Sequence, residues 1–259
     1  MIFRRFAGNL RKQDWTAVAV ELVVVVVGVF IGLQASNWND DRQTDAKAAI
    51  FTKSLTADLR DEAWGYQYQI DYYNDVLANA ERTIDALTGA KPLSDEALLI
   101  SAYRATQYHT NIRRRATYDE LKSTGLLGLI RSDALRDTAI QVYTSPTLDM
   151  IAAESQTSLY RKTFRMAIPN EIQQSLEHAC GDRVVRIGDY RAIVHSLDYP
   201  CSTGLPTQTI AASAAILRAD SQLPPLLRLR IANLETDLGN LTLYDNIRDE
   251  LRAIAKEKP

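Results

Sequence analysis

Between residues 15 and 38 the chain is almost wholly apolar, and Glu21 is its one ionisable residue. As a helix this run would extend about 35 Å, enough to cross a hydrocarbon core with some tilt. The β-branched block at residues 23–27 would suit a strand in water. In lipid a lone strand leaves its backbone unpaired, so a helix is predicted. From residue 45 to 87 the pattern changes. Tyr66, Ile70, Tyr73, Leu77, Ala80, Ile84 and Leu87 recur in alternating steps of four and three, and Phe51, Leu55 and Leu59 extend the stripe backwards. That is the seam of a bundle or coiled-coil helix. Nothing breaks the chain between the apolar run and this seam, so one long helix is expected, ended by Gly89 and Pro92.

Shorter elements follow. Ser94 starts a helix predicted to reach about residue 108. Thr117 and Glu120 read as a capping box with Gly125 as the stop, and Ser132 caps a helix to about residue 143. Ser145-Pro146 restarts the chain toward Ile168-Pro169, where a kink is expected, and a further helix closes at Gly181. Residues 181–208 differ in kind. They hold Gly188, Pro200, Gly204, Pro206 and one of the two cysteines, with Cys180 just before, and two short apolar runs there could pair as a hairpin. After a helix at residues 209–218, Leu227, Ile231, Leu234, Leu238 and Leu241 make a second seam, resumed by Tyr244, Ile247, Leu251 and Ile254. The fold class expected is therefore all-α: an N-terminal transmembrane helix, then an elongated antiparallel helical bundle with one cysteine-containing loop insertion.

Charge sets the expected orientation. Arg4, Arg5, Arg11 and Lys12 precede the apolar run, whereas Asn37, Asn39, Asp40 and Asp41 follow it. The positive-inside rule then gives a cytoplasmic tail (1–14), a span (15–38) and an extracytoplasmic domain (39–259), in a single-pass protein of the bacterial inner membrane with a periplasmic body. A cleaved signal peptide is the rival. Its apolar core is usually shorter, and the best cleavage site here, Leu33-Gln34-Ala35, has a large outer residue. The formal net charge of −2 hides a basic tail and a more acidic body, which argues against nucleic acid as a partner. Arg113-Arg114-Arg115 is the body's basic cluster and reads as a solvated loop or local ion-pair site rather than an anion site.

On a helix Glu21, Gly28, Gly32 and Ser36 share one face. Gly28-x-x-x-Gly32 is the small-residue spacing that lets spanning helices approach, and Glu21 either faces a partner there or reaches the headgroups. Glu21, the segment 28–34, Asn37-Trp38-Asn39 and Tyr118-x-x-Leu121-x-x-x-Gly125 with Leu135-Arg136 together resemble the DUF6090 family of uncharacterised bacterial membrane proteins. The resemblance covers two segments, implies a membrane-anchored and mostly helical protein, and supplies no activity.

Candidate chemistry is sparse. Cys180 and Cys201 are expected to pair as a disulfide outside the cytoplasm, and closing that loop would contribute about 3 kcal/mol on the chain-entropy model. His178 and His195 would complete a four-ligand zinc set with them, but the spacing matches no standard finger, so no metal or cofactor is assigned. His109 reads as a surface or helix-end residue. Phosphate-loop, nucleophile-elbow and zinc-protease motifs are missing, which lowers the odds of an enzyme. Trp64, Tyr68 and Tyr72 form a second helix face, read as packing or as a possible partner surface. The sequence thus points to a membrane-anchored helical module that binds a membrane-protein partner or forms a homo-oligomer. The alternatives are a ligand-sensing bundle acting through a partner or, third, a hydrolase or metal enzyme.

Overall fold

The computed structural model describes residues 15–110 and 112–243, together with residues 249, 251, 253 and 254, less the side chains of residues 15–19, 21 and 243. Arg4, Arg5, Arg11, Lys12, Tyr244, Ile247 and the side chain of Glu21 lie outside the described residues. Every regular element among the described residues is helical. In chain order they are α1 (Trp15–Leu87), α2 (Asp95–Ala105), α3 (Ala116–Ser123), a 3-10 turn (Leu127–Leu129), α4 (Asp133–Thr144), α5 (Thr147–Thr157), α6 (Leu159–Ala167), α7 (Asn170–Cys180), α8 (Tyr190–Ile193), α9 (Thr207–Ala219) and α10 (Leu223–Leu243).

The chain divides into two compact units. The first comprises residues 1–53 with 128–131. Its share of α1 includes the apolar run, the one helical stretch among the described residues long and apolar enough to cross a membrane. The side chains of Val20 and of Leu22 to Leu33 are exposed there. Ala48 and Ile130 are buried, and Arg131 pairs with Asp45.

The second unit comprises residues 54–127 with 132–259 and holds the core. α2 packs on α7 and α9, and α10 packs on α5 and α6. From Glu62 to Tyr66 and again from Tyr68 to Ile70, α1 is buried at every position. A helix apolar enough to be covered on all sides belongs in the interior, and a two-sided seam cannot describe it. That is why the sequence stripe slips after Tyr73: Val76, Asn79 and Thr83 are buried, while Leu77, Ile84 and Leu87 are only half-buried. The seam on α10 also departs from its pattern. Leu223, Leu227, Leu234, Leu238 and Leu241 are buried, but Arg230 takes the interior place and Ile231 is half-buried.

Helix ends follow local chemistry. Gly89 and Gly125 adopt positive φ, and just beyond each the amides of Ala90 and Leu126 reach back to the carbonyls of Asp85 and Leu121, closing Schellman caps. The Ser94 and Ser132 hydroxyls accept from the amides of Ala97 and Leu135, as the sequence predicts. The capping box at Thr117 does not form. α3 begins one residue earlier, and the Thr117 amide donates to the Asp58 carboxylate on α1 at 3.4 Å. A second correction lies at Ser158, where the helix expected to run unbroken to Ile168 splits into α5 and α6, the Ser158 hydroxyl capping Arg161. A third is the hairpin: residues 184–187 are irregular and Tyr190–Ile193 is a helical turn.

Candidate functional site

Within the second unit lies a cavity of about 330 Å³. One wall is α1, which contributes Asp61, Glu62, Trp64, Gly65, Tyr66 and Tyr68. His109, Thr110, Ile112 and Arg114 come from the segment between α2 and α3, and Leu148 from α5. The remaining wall is Asp182, Arg183, Val184, Val185 and Ile187, just after α7. Volume and lining fall in the range of small-molecule sites, which are mostly apolar with a few placed polar groups.

The aromatic face of α1 is inside, which corrects its reading as a possible partner surface. Trp64, Tyr68 and Tyr72 are 5%, 3% and 0% exposed. The Tyr68 and Tyr72 rings sit 4.1 and 5.3 Å from the His109 imidazole. The Tyr72 hydroxyl donates to Asp182 at 2.9 Å, which ties the far wall to the helix. His109 is half-buried, and its carbonyl accepts from Gln69 at 2.9 Å and from the Tyr73 hydroxyl at 3.4 Å. Burial pushes the Tyr68, Tyr72 and Tyr73 phenols above their ordinary range, so all three stay protonated at neutral pH.

Charge at the cavity is largely engaged. Glu62 accepts from Arg113 Nε at 2.9 Å and from the Arg114 amide at 2.6 Å. Burial nevertheless holds its carboxyl above the usual range, against the opposing pull of Arg113. Arg114 faces Asp61 at 3.7 Å, and Arg115 grips Asp119 through two hydrogen bonds. The triple-arginine run is thus three separate local pairings. Arg183 stacks 3.5 Å over the Tyr199 ring. Among the buried polar atoms, the Trp64 indole Nε1 has no hydrogen-bond partner among the described residues. An unmade hydrogen bond in a buried place is costly, typically about 1–3 kcal/mol.

Cys180 and Cys201 stand at disulfide distance, with Cα atoms 5.5 Å apart. The buried Arg104 braces this junction, donating to the carbonyls of Cys180 at 3.2 Å and Tyr199 at 2.9 Å. The Glu96 carboxylate anchors the following turn, accepting from the Thr203 amide and from the Ser202 and Thr203 hydroxyls. Those bonds, the Thr203 amide foremost, hold its carboxyl below the usual range. His178 and His195 are exposed, and no group of three or more His, Cys, Asp or Glu among the described residues is placed to hold a metal. The four-ligand alternative is therefore not assembled.

Gly28, Gly32 and Ser36 lie on α1 in the first unit and are not among the residues that line this cavity, and a Cβ added at either glycine would meet nothing within 4 Å. In the sequence the aromatic cluster and the unusual loop are separate features, and their spacing does not join them. The signal that could have done so is the α1 stretch from Trp64 to Tyr73, too aromatic on too many faces for a helix with an open side. No protein-family model, curated protein or solved structure matches the chain.

Proposed function

We propose that this chain is a membrane-tethered helical module whose body takes up a small, largely apolar ligand and acts through a partner. The cavity walled by Trp64, Tyr66 and Tyr68 carries this reading. It moves the weight from the partner-binding expectation to the ligand-sensing one, because the face meant for a partner is buried. No chemical step is proposed, since Arg113, Arg114 and Tyr72 already hold the carboxylates that border the cavity. The apolar run on α1 supports the tether, and the basic cluster at Arg4, Arg5, Arg11 and Lys12 supports a cytoplasmic N-terminus in the bacterial inner membrane. The cysteine pair suits an oxidising periplasm, and the DUF6090 resemblance suits a single-pass anchor. We read the second unit as a helical bundle around α1.

The test is equilibrium dialysis of α-methylstyrene against lipid nanodiscs holding the full chain, with Val185→Trp nanodiscs as the blank for lipid uptake. Saturable uptake by the natural chain, abolished when the tryptophan fills the cavity, is expected. Equal uptake by both would remove the ligand-binding reading.

A second reading, assembly through the span, is supported by the open face at Gly28 and Gly32. In a membrane two-helix assay Gly28→Ile with Gly32→Ile should abolish association, and Glu21→Gln should be tolerated better than Glu21→Leu. Indifference to the isoleucines leaves the span as an anchor alone.

A further inference from the structure

The two cysteines are placed unequally. Cys180 ends α7 and is 0% exposed, so a reagent in solution does not reach its sulfur while the fold holds. Cys201 is half-buried and lines a second cavity, of about 400 Å³, together with Arg82 of α1, Arg104 of α2, and Asp198 and Tyr199 of the loop. This cavity shares no lining residue with the aromatic one. Exchange at a disulfide begins when a thiolate meets one of its sulfurs, and access decides which. In the folded chain that sulfur is on Cys201.

Charge points the same way. Arg104 is 5% exposed, and its Nη2 lies 3.4 Å from Cys201 Sγ. The Nε of Arg104 donates to the Cys180 carbonyl at 3.2 Å, and Nη2 donates to the Tyr199 carbonyl at 2.9 Å. Those two backbone bonds fix the guanidinium independently of the sulfur, and a guanidinium keeps its charge in proteins. Negative charge passes from sulfur to sulfur during exchange, and a fixed cation beside one of them favours the thiolate there. Of the other charges lining the cavity, Arg82 adds to this effect and Asp198 opposes it.

We propose that Cys201 is the exchange sulfur of the pair, the atom at which a low-molecular-weight thiol opens the disulfide and at which the corresponding small disulfide closes it. In opening, the incoming thiolate bonds to Cys201 Sγ, the bond to Cys180 Sγ breaks, and its electron pair leaves on Cys180, which takes up a proton. A second small thiolate then bonds to the first one's sulfur and expels Cys201 as a thiolate beside Arg104. Two small thiols are thereby oxidised to one disulfide, and the protein's disulfide is reduced to two thiols. Closing is the same sequence reversed. The site stands whether or not the aromatic cavity takes a ligand.

The experiment treats the full chain in lipid nanodiscs with glutathione at neutral pH without denaturant, quenches in acid, caps free thiols and digests with trypsin. Arg183, Arg186 and Arg191 lie between the cysteines, so each falls in its own peptide. Glutathione should be found on the Cys201 peptide in at least about tenfold excess over the Cys180 peptide. As a second measurement, glutathione disulfide is added to single-cysteine variants. Cys180→Ser should take up glutathione at Cys201 at least about tenfold faster than Cys201→Ser takes it up at Cys180. The first measurement uses the natural chain, so it decides the matter even where a variant fails to fold. Equal attachment at both sulfurs, preference for Cys180, or a bond that glutathione opens only once denaturant is added would overturn the assignment.

Discussion

Arg230 is 2% exposed, and it is the side chain whose loss should be felt most. Its guanidinium contacts Glu154 at 3.2 Å and the Gln107 carbonyl at 3.1 Å, and it lies 3.8 Å over the Tyr108 ring. Removing one partner of a buried pair strands the other charge, so Arg230→Ala should lower unfolding free energy by about 3–5 kcal/mol in denaturant titration. Arg230→Lys should recover little, because an ammonium cannot stack flat and bond three ways at once. Nearby, Asp237 is pushed up to about 7, first by burial and then by the neighbouring Glu154 carboxylate. Its folded value lies above the unfolded one, so the folded state keeps a proton that the unfolded state has lost. That contribution is complete below about pH 4 and is lost as pH rises toward 7. Melting temperature between pH 5 and 8 should therefore fall less steeply in Asp237→Asn than in the natural chain. An unchanged slope would show that Asp237 does not titrate there.

At the scale of elements, α3 offers a discriminating pair of variants. Its second amide is capped from α1 by Asp58, not from within by a threonine. Asp58→Ala should cost about 1 kcal/mol, and Thr117→Ala close to nothing, by the same denaturant titration. A reversed order would restore the capping box. This element also shows what a sequence can and cannot convey. Start signals at Ser94 and Ser132 and stop signals at Gly89 and Gly125 act through neighbours a few positions away, so they were readable. Asp58 and Thr117 meet across 59 positions, which no local pattern encodes. The same holds for the cavity. Trp64, Ile112 and Val184 are brought together by tertiary packing alone. Arg230 is not legible as a core residue because it sits one position from the seam residue Ile231, where an arginine ordinarily points to water.

For the whole molecule, the proposed topology predicts that a reporter active only in the periplasm, fused after Pro259, is active. A cytoplasm-only reporter active at that site would reverse it. The pairing of Cys180 with Cys201 bears on the same question in another way. The cavity wall from Asp182 to Ile187 lies inside the loop which that pair closes. Serine at both positions should leave helical circular dichroism nearly unchanged while weakening α-methylstyrene uptake, because only the wall loses its covalent closure. Undiminished uptake would show that Arg104 and Tyr72 hold the wall unaided. On the proposed topology this closure would form only beyond the bilayer, where an oxidant can join the two thiols, so the wall from Asp182 to Ile187 would gain its covalent tie after the chain has crossed.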